Sequence, residues 1–199
     1  RFAGALDATG AAVAVASHYA GGGDGESTFM PYAIAERSDK ARDATHHIRT
    51  GAWRSVLNSQ HGFFKESFID ELAHASKKDP FAFRRDLMTD HPRFRAVLER
   101  VAAMADWGQP VPAGEGKGIA ITECFGSIVG EVAHVSVSPE GALKVKQVWA
   151  AVDCGEVVNP DTAAAQVQGG IVFGLSAAML GAITIVEGKV VETNFHDYE

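Results

Sequence analysis

An α+β fold is predicted for this chain by three observations. Apolar and polar residues alternate near both ends of the sequence, the middle third switches to helical spacing, and the two patterns stand in separate blocks. A doubly wound parallel sheet would instead interleave strand and helix one for one. With 199 residues, 46% hydrophobic and 22% charged, the chain is long enough to build its own core. Eighteen basic against twenty-five acidic residues leave a formal charge of −7, which argues against nucleic acid as a partner.

The first block is a hairpin. Phe2 to Leu6 and Val13 to Tyr19 read as strands joined by Asp7-Ala8-Thr9-Gly10, residue types that tolerate positive φ. Gly21 to Ser27 then breaks all periodicity and reads as a mobile loop. It lacks the Gly-Lys-Ser/Thr ending of a phosphate-binding loop.

The helical block starts after Gly51-Ala52-Trp53-Arg54-Ser55-Val56-Leu57-Asn58-Ser59-Gln60. Phe64, Phe68, Ile69, Leu72 and Ala73 fall at helical spacing, and Lys65, Glu66, Asp70 and Glu71 are expected on the opposite face. Asp79-Pro80 is an N-cap and first-turn pair for a short helix to about Met88. Pro92 opens another, with a stripe of Phe94, Val97, Leu98, Val101 and Ala105 that ends at Trp107-Gly108.

Strands return at Gly118. Ile119 and Ile121 alternate, Ala133, Val135 and Val137 share one face, and Pro139-Glu140-Gly141 makes a turn. Leu143 and Val145 have the opposite parity to Val148, Ala150 and Val152, so a bulge is expected near Gln147. Asn159-Pro160 caps and opens a helix rich in small residues, and a last hairpin turns at Glu187-Gly188. The organisation expected is a hairpin and loop over residues 1–50, a helical segment over 51–112, and strands with the Asn-Pro capped helix over 113–199.

Generic catalytic signatures are few. Gly174-Leu175-Ser176-Ala177-Ala178 approaches an esterase pattern, but Ser176 falls inside a helix rather than on a strand-to-helix elbow. His46 and His47 are adjacent and point to opposite faces of an extended chain, so they do not chelate one metal together. Cys124 and Cys154 lack the paired spacing of a zinc site or a disulfide scaffold. The longest apolar run is well short of the ~20 residues of a transmembrane helix, and the compartment is left open.

Polar residues beside glycine turns are more telling. Arg54 precedes a polar helix start with Ser55, Asn58, Ser59 and Gln60, and a guanidinium together with free helix amides is a competent anion clamp. Gln166 lies early in the second glycine-rich helix, where a carboxamide can both donate and accept. Taken singly, a solvated arginine and a surface glutamine explain these residues as well.

Val152-Asp153-Cys154-Gly155, Asn159-Pro160, Gln166, Gly169-Gly170 and Gly174 follow one another in a block that resembles a cofactor-embracing segment of the molybdenum hydroxylases, the xanthine dehydrogenase and aldehyde oxidase superfamily. Tyr32-Ala33-Ile34, the Gly51 to Gln60 loop, Glu66 to Ala73, Asp79-Pro80 with Arg84, and Gly118-Ile119-Ala120 extend the resemblance in order over nearly the whole chain. It is closest to the isoquinoline 1-oxidoreductase beta subunits and the related molybdopterin-binding aldehyde dehydrogenases.

The resemblance implies part of the molybdopterin-binding domain of a large subunit, holding molybdenum through a molybdopterin cytosine dinucleotide. It also implies an iron–sulfur small subunit carrying [2Fe–2S] clusters, and oxidative hydroxylation of an aldehyde or N-heterocycle with oxygen from water. By position, Arg54 and Gln60 match the Arg and Gln of the family's substrate-side glycine-rich loop and Gln166 the Gln that hydrogen-bonds near the molybdenum, so the resemblance implies all three as cofactor-binding residues. The family's glutamate base lies in a Gly-Glu-Pro context that is absent here, and Glu123, Glu131 and Glu156 do not match it. No catalytic residue is therefore expected within the chain, the glutamate is expected beyond Glu199, and the isolated chain is expected to be inactive. The competing reading is a non-catalytic scaffold or dimerisation module that keeps the fold.

Overall fold

A computed structural model describes residues 1–21, 27–45, 47 and 51–198. The Gly21 to Ser27 loop, apart from its two end residues, and His46 lie outside the described residues. The architecture is mixed α and β, as expected, and divides into two compact units: Arg1–His46 with Gly51–Gly155, and His47–Thr50 with Glu156–Glu199.

In the first unit, β1 (Phe2–Leu6) and β2 (Ala12–Ala20) form the predicted antiparallel hairpin. Asp7 shapes its turn by accepting hydrogen bonds from the amides of Thr9 and Ala11, and Gly10 supplies the positive φ of 75°. A third strand, β3 (Glu36–Arg42), pairs parallel to β2, and nothing in its sequence announces it. All seven of its residues are exposed, so it carries no apolar alternation. It is held by backbone pairing and by the side chains of Arg37 and Asp39, the latter accepting from Ser17 Oγ.

Three helices follow: α1 (Asn58–Ala75), α2 (Pro80–Leu87) and α3 (Pro92–Met104). Asp79 caps α2 by accepting from the Ala82 amide at 2.9 Å, and it also accepts from Trp107 Nε1, which ties the end of the helical block to its middle. A meander of β4 (Glu115–Cys124), β5 (Ser127–Val137) and β6 (Leu143–Asp153) completes the unit. The bulge expected near Gln147 is found one residue away, at Lys146, where the register between β5 and β6 slips.

The core lies between these helices and one face of the β4–β6 sheet. Ile69, Leu98, Val101, Ile128 and Val132 are almost fully buried within it. Gly130 in the middle of β5 lets α3 lie close, because a Cβ there would sit 3.0 Å from Val97 Cγ1. Along β5 the core-facing set is therefore Ile128, Gly130 and Val132, and Ala133, Val135 and Val137 are only partly covered or exposed.

The stripe expected along α1 also needs correction. Ile69, Leu72 and Ala73 are buried as expected, but Phe64 is exposed while Lys65 and Glu66 are buried. The physical reason is that buried acceptors and donors meet both charges there. Lys65 Nζ donates to the carbonyls of Ser27 (2.6 Å) and Phe29 (2.7 Å), and Glu66 accepts from several groups described below.

The second unit holds α4 (Pro160–Met179), the two-residue strands β7 (Ile185–Val186) and β8 (Lys189–Val190), and a 3-10 turn at Phe195–Asp197. Asn159 caps α4 by accepting from the Thr162 amide at 2.9 Å, and Pro160 opens it, as its sequence predicts. The hairpin turns at Glu187 and Gly188. His47 Nε2 lies 3.2 Å from the Gly188 carbonyl. Ser176 is inside α4, with its hydroxyl donating to Val172 O, which removes it as a nucleophile on an elbow. None of the residues of α4 is buried. Among the described residues no helix is long and apolar enough to cross a membrane, and no cluster of three or more His, Cys, Asp or Glu could hold a metal ion.

Candidate functional site

The first candidate surface is the start of α1. The chain reaches it through a tight turn in which the Val56 amide donates to Trp53 O and the Asn58 amide to Ser55 O. Ser55 and Val56 both take left-handed backbone conformations, at φ 68° and 49°. For a β-branched valine this costs about 1–3 kcal/mol, strain of the kind found at functional sites. Helix α1 then begins without a side-chain cap at Leu57 and without an acidic residue in its first turn. No acid of the first turn offsets the positive end of its dipole, and Arg54 and Gln60 are both exposed. Gln60 Oε1 accepts from Ser59 Oγ at 2.9 Å, and Ser59 Oγ also reaches Val56 O at 3.0 Å, so the turn and the first helical residues brace one another.

Beneath that surface runs a row of buried polar side chains on α1: Asn58, His61, Lys65 and Glu66. Asn58 Nδ2 lies 3.5 Å from Cys124 Sγ at the end of β4, and the His61 ring stacks on Tyr19 at 4.3 Å. Glu66 is the centre of the row. Its carboxylate accepts from Tyr32 Oη (2.7 Å), Arg84 Nε (2.8 Å) and the Ile121 amide (3.0 Å). Arg84, itself buried, also bonds the Asp70 carboxylate at 2.6 Å and the Glu66 carbonyl at 2.9 Å. Burial opposes charge on the guanidinium, but Glu66, Tyr32 and Asp70 outweigh it and hold Arg84 protonated. Burial, with Glu66 nearby, pushes the Tyr32 hydroxyl well above the ordinary tyrosine range, and burial lowers Lys65. This network fixes α1 against α2, β4 and the stretch from Ser27 to Ile34.

The second candidate surface is α4. Gln166 is exposed, and Gly169, three positions on, lies beside it, while Gly174 is turned about 140° round the helix from Gly169. A Cβ added at either glycine would meet nothing within 4 Å. Packing among the described residues therefore does not require these glycines, and neither has the positive φ that would require them conformationally. Open backbone at Gly169 beside a donor–acceptor side chain suits a large polar ring system that must approach closely. The residues of this surface are of a kind that would suit the molybdopterin expected from the sequence. Arg54 and Gln60 stand in the first unit and Gln166 in the second.

Sequence reasoning missed two features. One is the buried row on α1, because Lys65 and Glu66 read as a solvated face; the only signal was their place between apolar residues three and four positions away. The other is Asp153, which accepts two hydrogen bonds from Arg93, at 2.8 and 3.0 Å, and one from the Gly155 amide. Arg93 holds the Asp153 carboxyl down to about 2, with help from the Gly155 amide.

A family model described as a molybdopterin cofactor-binding domain matches residues 102–199. The chain is 38% identical over 149 residues to an isoquinoline 1-oxidoreductase beta subunit of Brevundimonas diminuta, a match covering 73% of this chain and 19% of the relative. It is 32% identical over 173 residues to a membrane-bound aldehyde dehydrogenase (pyrroloquinoline-quinone) of Gluconacetobacter polyoxogenes, covering 76% of this chain and 22% of the relative. It is 27% identical over 190 residues to a nicotinate dehydrogenase polypeptide of Pseudomonas putida, covering 86% of this chain and 16% of the relative. The chain thus spans about a fifth of the length of these curated relatives. With its mixed α and β architecture, these matches make the chain a member of the molybdenum hydroxylase family, corresponding to part of the molybdopterin-binding subunit.

Proposed function

We propose that residues 1–199 form part of the molybdopterin-binding domain of an oxidoreductase that hydroxylates an aldehyde or an N-heterocycle with oxygen from water, and that passes the electrons to iron–sulfur clusters on a partner subunit. The observation that carries this reading is the exposed Gln166 of α4 with Gly169 one turn on, where an added Cβ would meet nothing within 4 Å, inside the segment matched by the cofactor-binding family. Names of the relatives point the same way, since isoquinoline and nicotinate are N-heterocycles and the remaining relative is an aldehyde dehydrogenase.

When bound, a molybdenum pterin, in its cytosine dinucleotide form, supplies the two-electron redox chemistry. The chain's own residues bind and orient it. Arg54 would meet an anionic group beside the uncapped start of α1, Gln60 would hydrogen-bond the same group's surroundings, and Gln166 would read a polar edge through its carboxamide. The buried network around Glu66 keeps the α1 end in place so that no reorganisation is needed when the ligand arrives. No residue here is assigned the role of proton acceptor in the reaction; a glutamate elsewhere in the subunit fills it.

On its own the chain binds the pterin weakly and turns over no substrate, because affinity for a large polar ligand depends on enclosing it. The test is to purify the chain, oxidise and extract pterin for fluorescence, and measure molybdenum by elemental analysis. Stoichiometric pterin and metal in the isolated chain would refute this part. In the full subunit, Gln166→Ala should lower molybdenum and pterin content or turnover by about 10–100-fold, the range seen when a group orienting a metal site is removed. Unchanged cofactor content and rate in both Gln166→Ala and Arg54→Ala would favour a scaffold that has kept the fold.

A further inference from the structure

Helix α1 and the end of β4 meet along a polar seam with three rungs. Asn58, Gly62 and Glu66 recur every four residues, which sets them along one side of the helix. At one end of the seam Asn58 Nδ2 lies 3.5 Å from Cys124 Sγ, and at the other Glu66 accepts from the Ile121 amide at 3.0 Å. The middle rung faces Thr122, whose Oγ1 is 3.5 Å from where a Cβ on Gly62 would stand. Gly62 brings no side-chain donor or acceptor to it. Thr122 Oγ1 is buried and has no hydrogen-bond partner among the described residues, a condition that native proteins rarely leave unmet.

A cavity of about 10 Å³ adjoins this rung, with Lys65, Glu66, Thr122 and Glu123 on its polar sides and Phe29 and Phe94 among its apolar ones. All of its lining residues belong to the first unit. Its volume is that of about one water-sized sphere, the least that holds a water molecule. Lys65 carries three N–H donors and gives two of them to the carbonyls of Ser27 and Phe29, which leaves one. The wall therefore offers a donor from α1 and, from β4, a hydroxyl that can both donate and accept. Charge narrows the choice of occupant. The Lys65 ammonium disfavours a cation, and the carboxylates of Glu66 and Glu123 disfavour an anion, so a neutral molecule fits.

We propose that this cavity is the site of one internal water, which accepts from the third N–H of Lys65, bonds Thr122 Oγ1, and so completes the middle rung of the seam. A water that bridges two buried polar groups serves nearly as well as a direct hydrogen bond. The first two turns of α1 are then braced against β4 at every rung. The site is built wholly from this chain's own residues and holds whatever Gln60, two residues before Gly62, binds at the surface.

The test is a high-resolution crystal structure of the full subunit, with Thr122→Ser and Thr122→Val beside it. Thr122→Ser keeps the oxygen, whereas Thr122→Val keeps the shape and removes it. The unaltered protein and Thr122→Ser should each show one ordered water at about 2.7–3.2 Å from both Lys65 Nζ and the hydroxyl at position 122. Thr122→Val should lose that water. Amide exchange in the first two turns of α1 should be about two- to tenfold faster in Thr122→Val than in Thr122→Ser, the change expected for one lost hydrogen bond. If neither variant folds, the structure of the unaltered subunit decides. No water at the site, a direct Lys65–Thr122 bond, a side chain from elsewhere in the subunit in its place, a water that persists in Thr122→Val, or equal exchange in the two variants overturns the proposal.

Discussion

Glu66 shows how far a single residue can depart from its local pattern. As a charged residue it reads with Lys65, Asp70 and Glu71 as part of a solvated side, yet it is buried and accepts from a tyrosine, an arginine and a strand amide. Removing one partner from such a network leaves the other charge buried and uncompensated, so Arg84→Ala should destabilise the chain by about 3–5 kcal/mol, read as a lower urea midpoint at unchanged slope. A shift of less than about 1 kcal/mol would place Arg84 among ordinary surface pairs. Asp153 makes a titration prediction. Its folded-state pKa of about 2 lies below the ordinary carboxylate value, so the Arg93 contact contributes stability that is present above that ordinary value and lost as pH falls toward 2. Carboxyl carbon NMR should find Asp153 as a late titrator, and Arg93→Gln should move its midpoint back up. Glu131 works with the opposite sign. Burial raises its pKa, so at neutral pH the folded state holds a carboxylate it would rather protonate, and that cost disappears as pH falls through the raised pKa. Glu131→Gln should therefore raise the melting temperature at pH 7 and have little effect in acid.

Elements are legible in proportion to the local chemistry that starts and stops them. Helix α2 begins at Asp79-Pro80 and α4 at Asn159-Pro160 because a capping oxygen and a proline with no amide to lose act within four residues. Asn159→Ala should loosen the first turn of α4 by about 1 kcal/mol, visible as faster amide exchange at Thr162 and its neighbours. Strand β3 carries no such sign, since its charged residues form a strand only because β2 offers an edge. Packing of α3 on β5 depends on Gly130, where a methyl group would meet Val97 and Val101 at 3.0 and 3.3 Å. Gly130→Ala should cost about 1–3 kcal/mol, the usual penalty for overfilling a packed core. A neutral result would mean α3 can slide outward freely.

At the scale of the whole molecule, the family is legible in the amino-acid order, because its motifs succeed one another along nearly the entire chain and tie polar side chains to glycine turns. Arg54, Gln60 and Gln166 stand out on that basis and are proposed as cofactor contacts; the first two lie by strained backbone and a helix start with no side-chain cap, and the third lies beside a glycine where an added Cβ would meet nothing within 4 Å. A large apolar helix with no buried residue, as α4 is, is stable in water only when something covers it. In the full subunit we expect amide exchange along α4 to be far slower than in this chain alone, and equal rates in the two would remove the argument that this face is meant to be enclosed.

Residues close together in the chain, or short motifs in a fixed order, are enough to set the α+β class, the starts of α2 and α4, the hairpin turns and the family. Long-range packing alone settles which charges are buried, that β3 exists, which face of β5 meets α3, and that Arg93 reaches Asp153. Those outcomes rest on partners far away in the sequence, and a side chain's own identity does not say whether a distant acceptor will arrive to make its burial favourable.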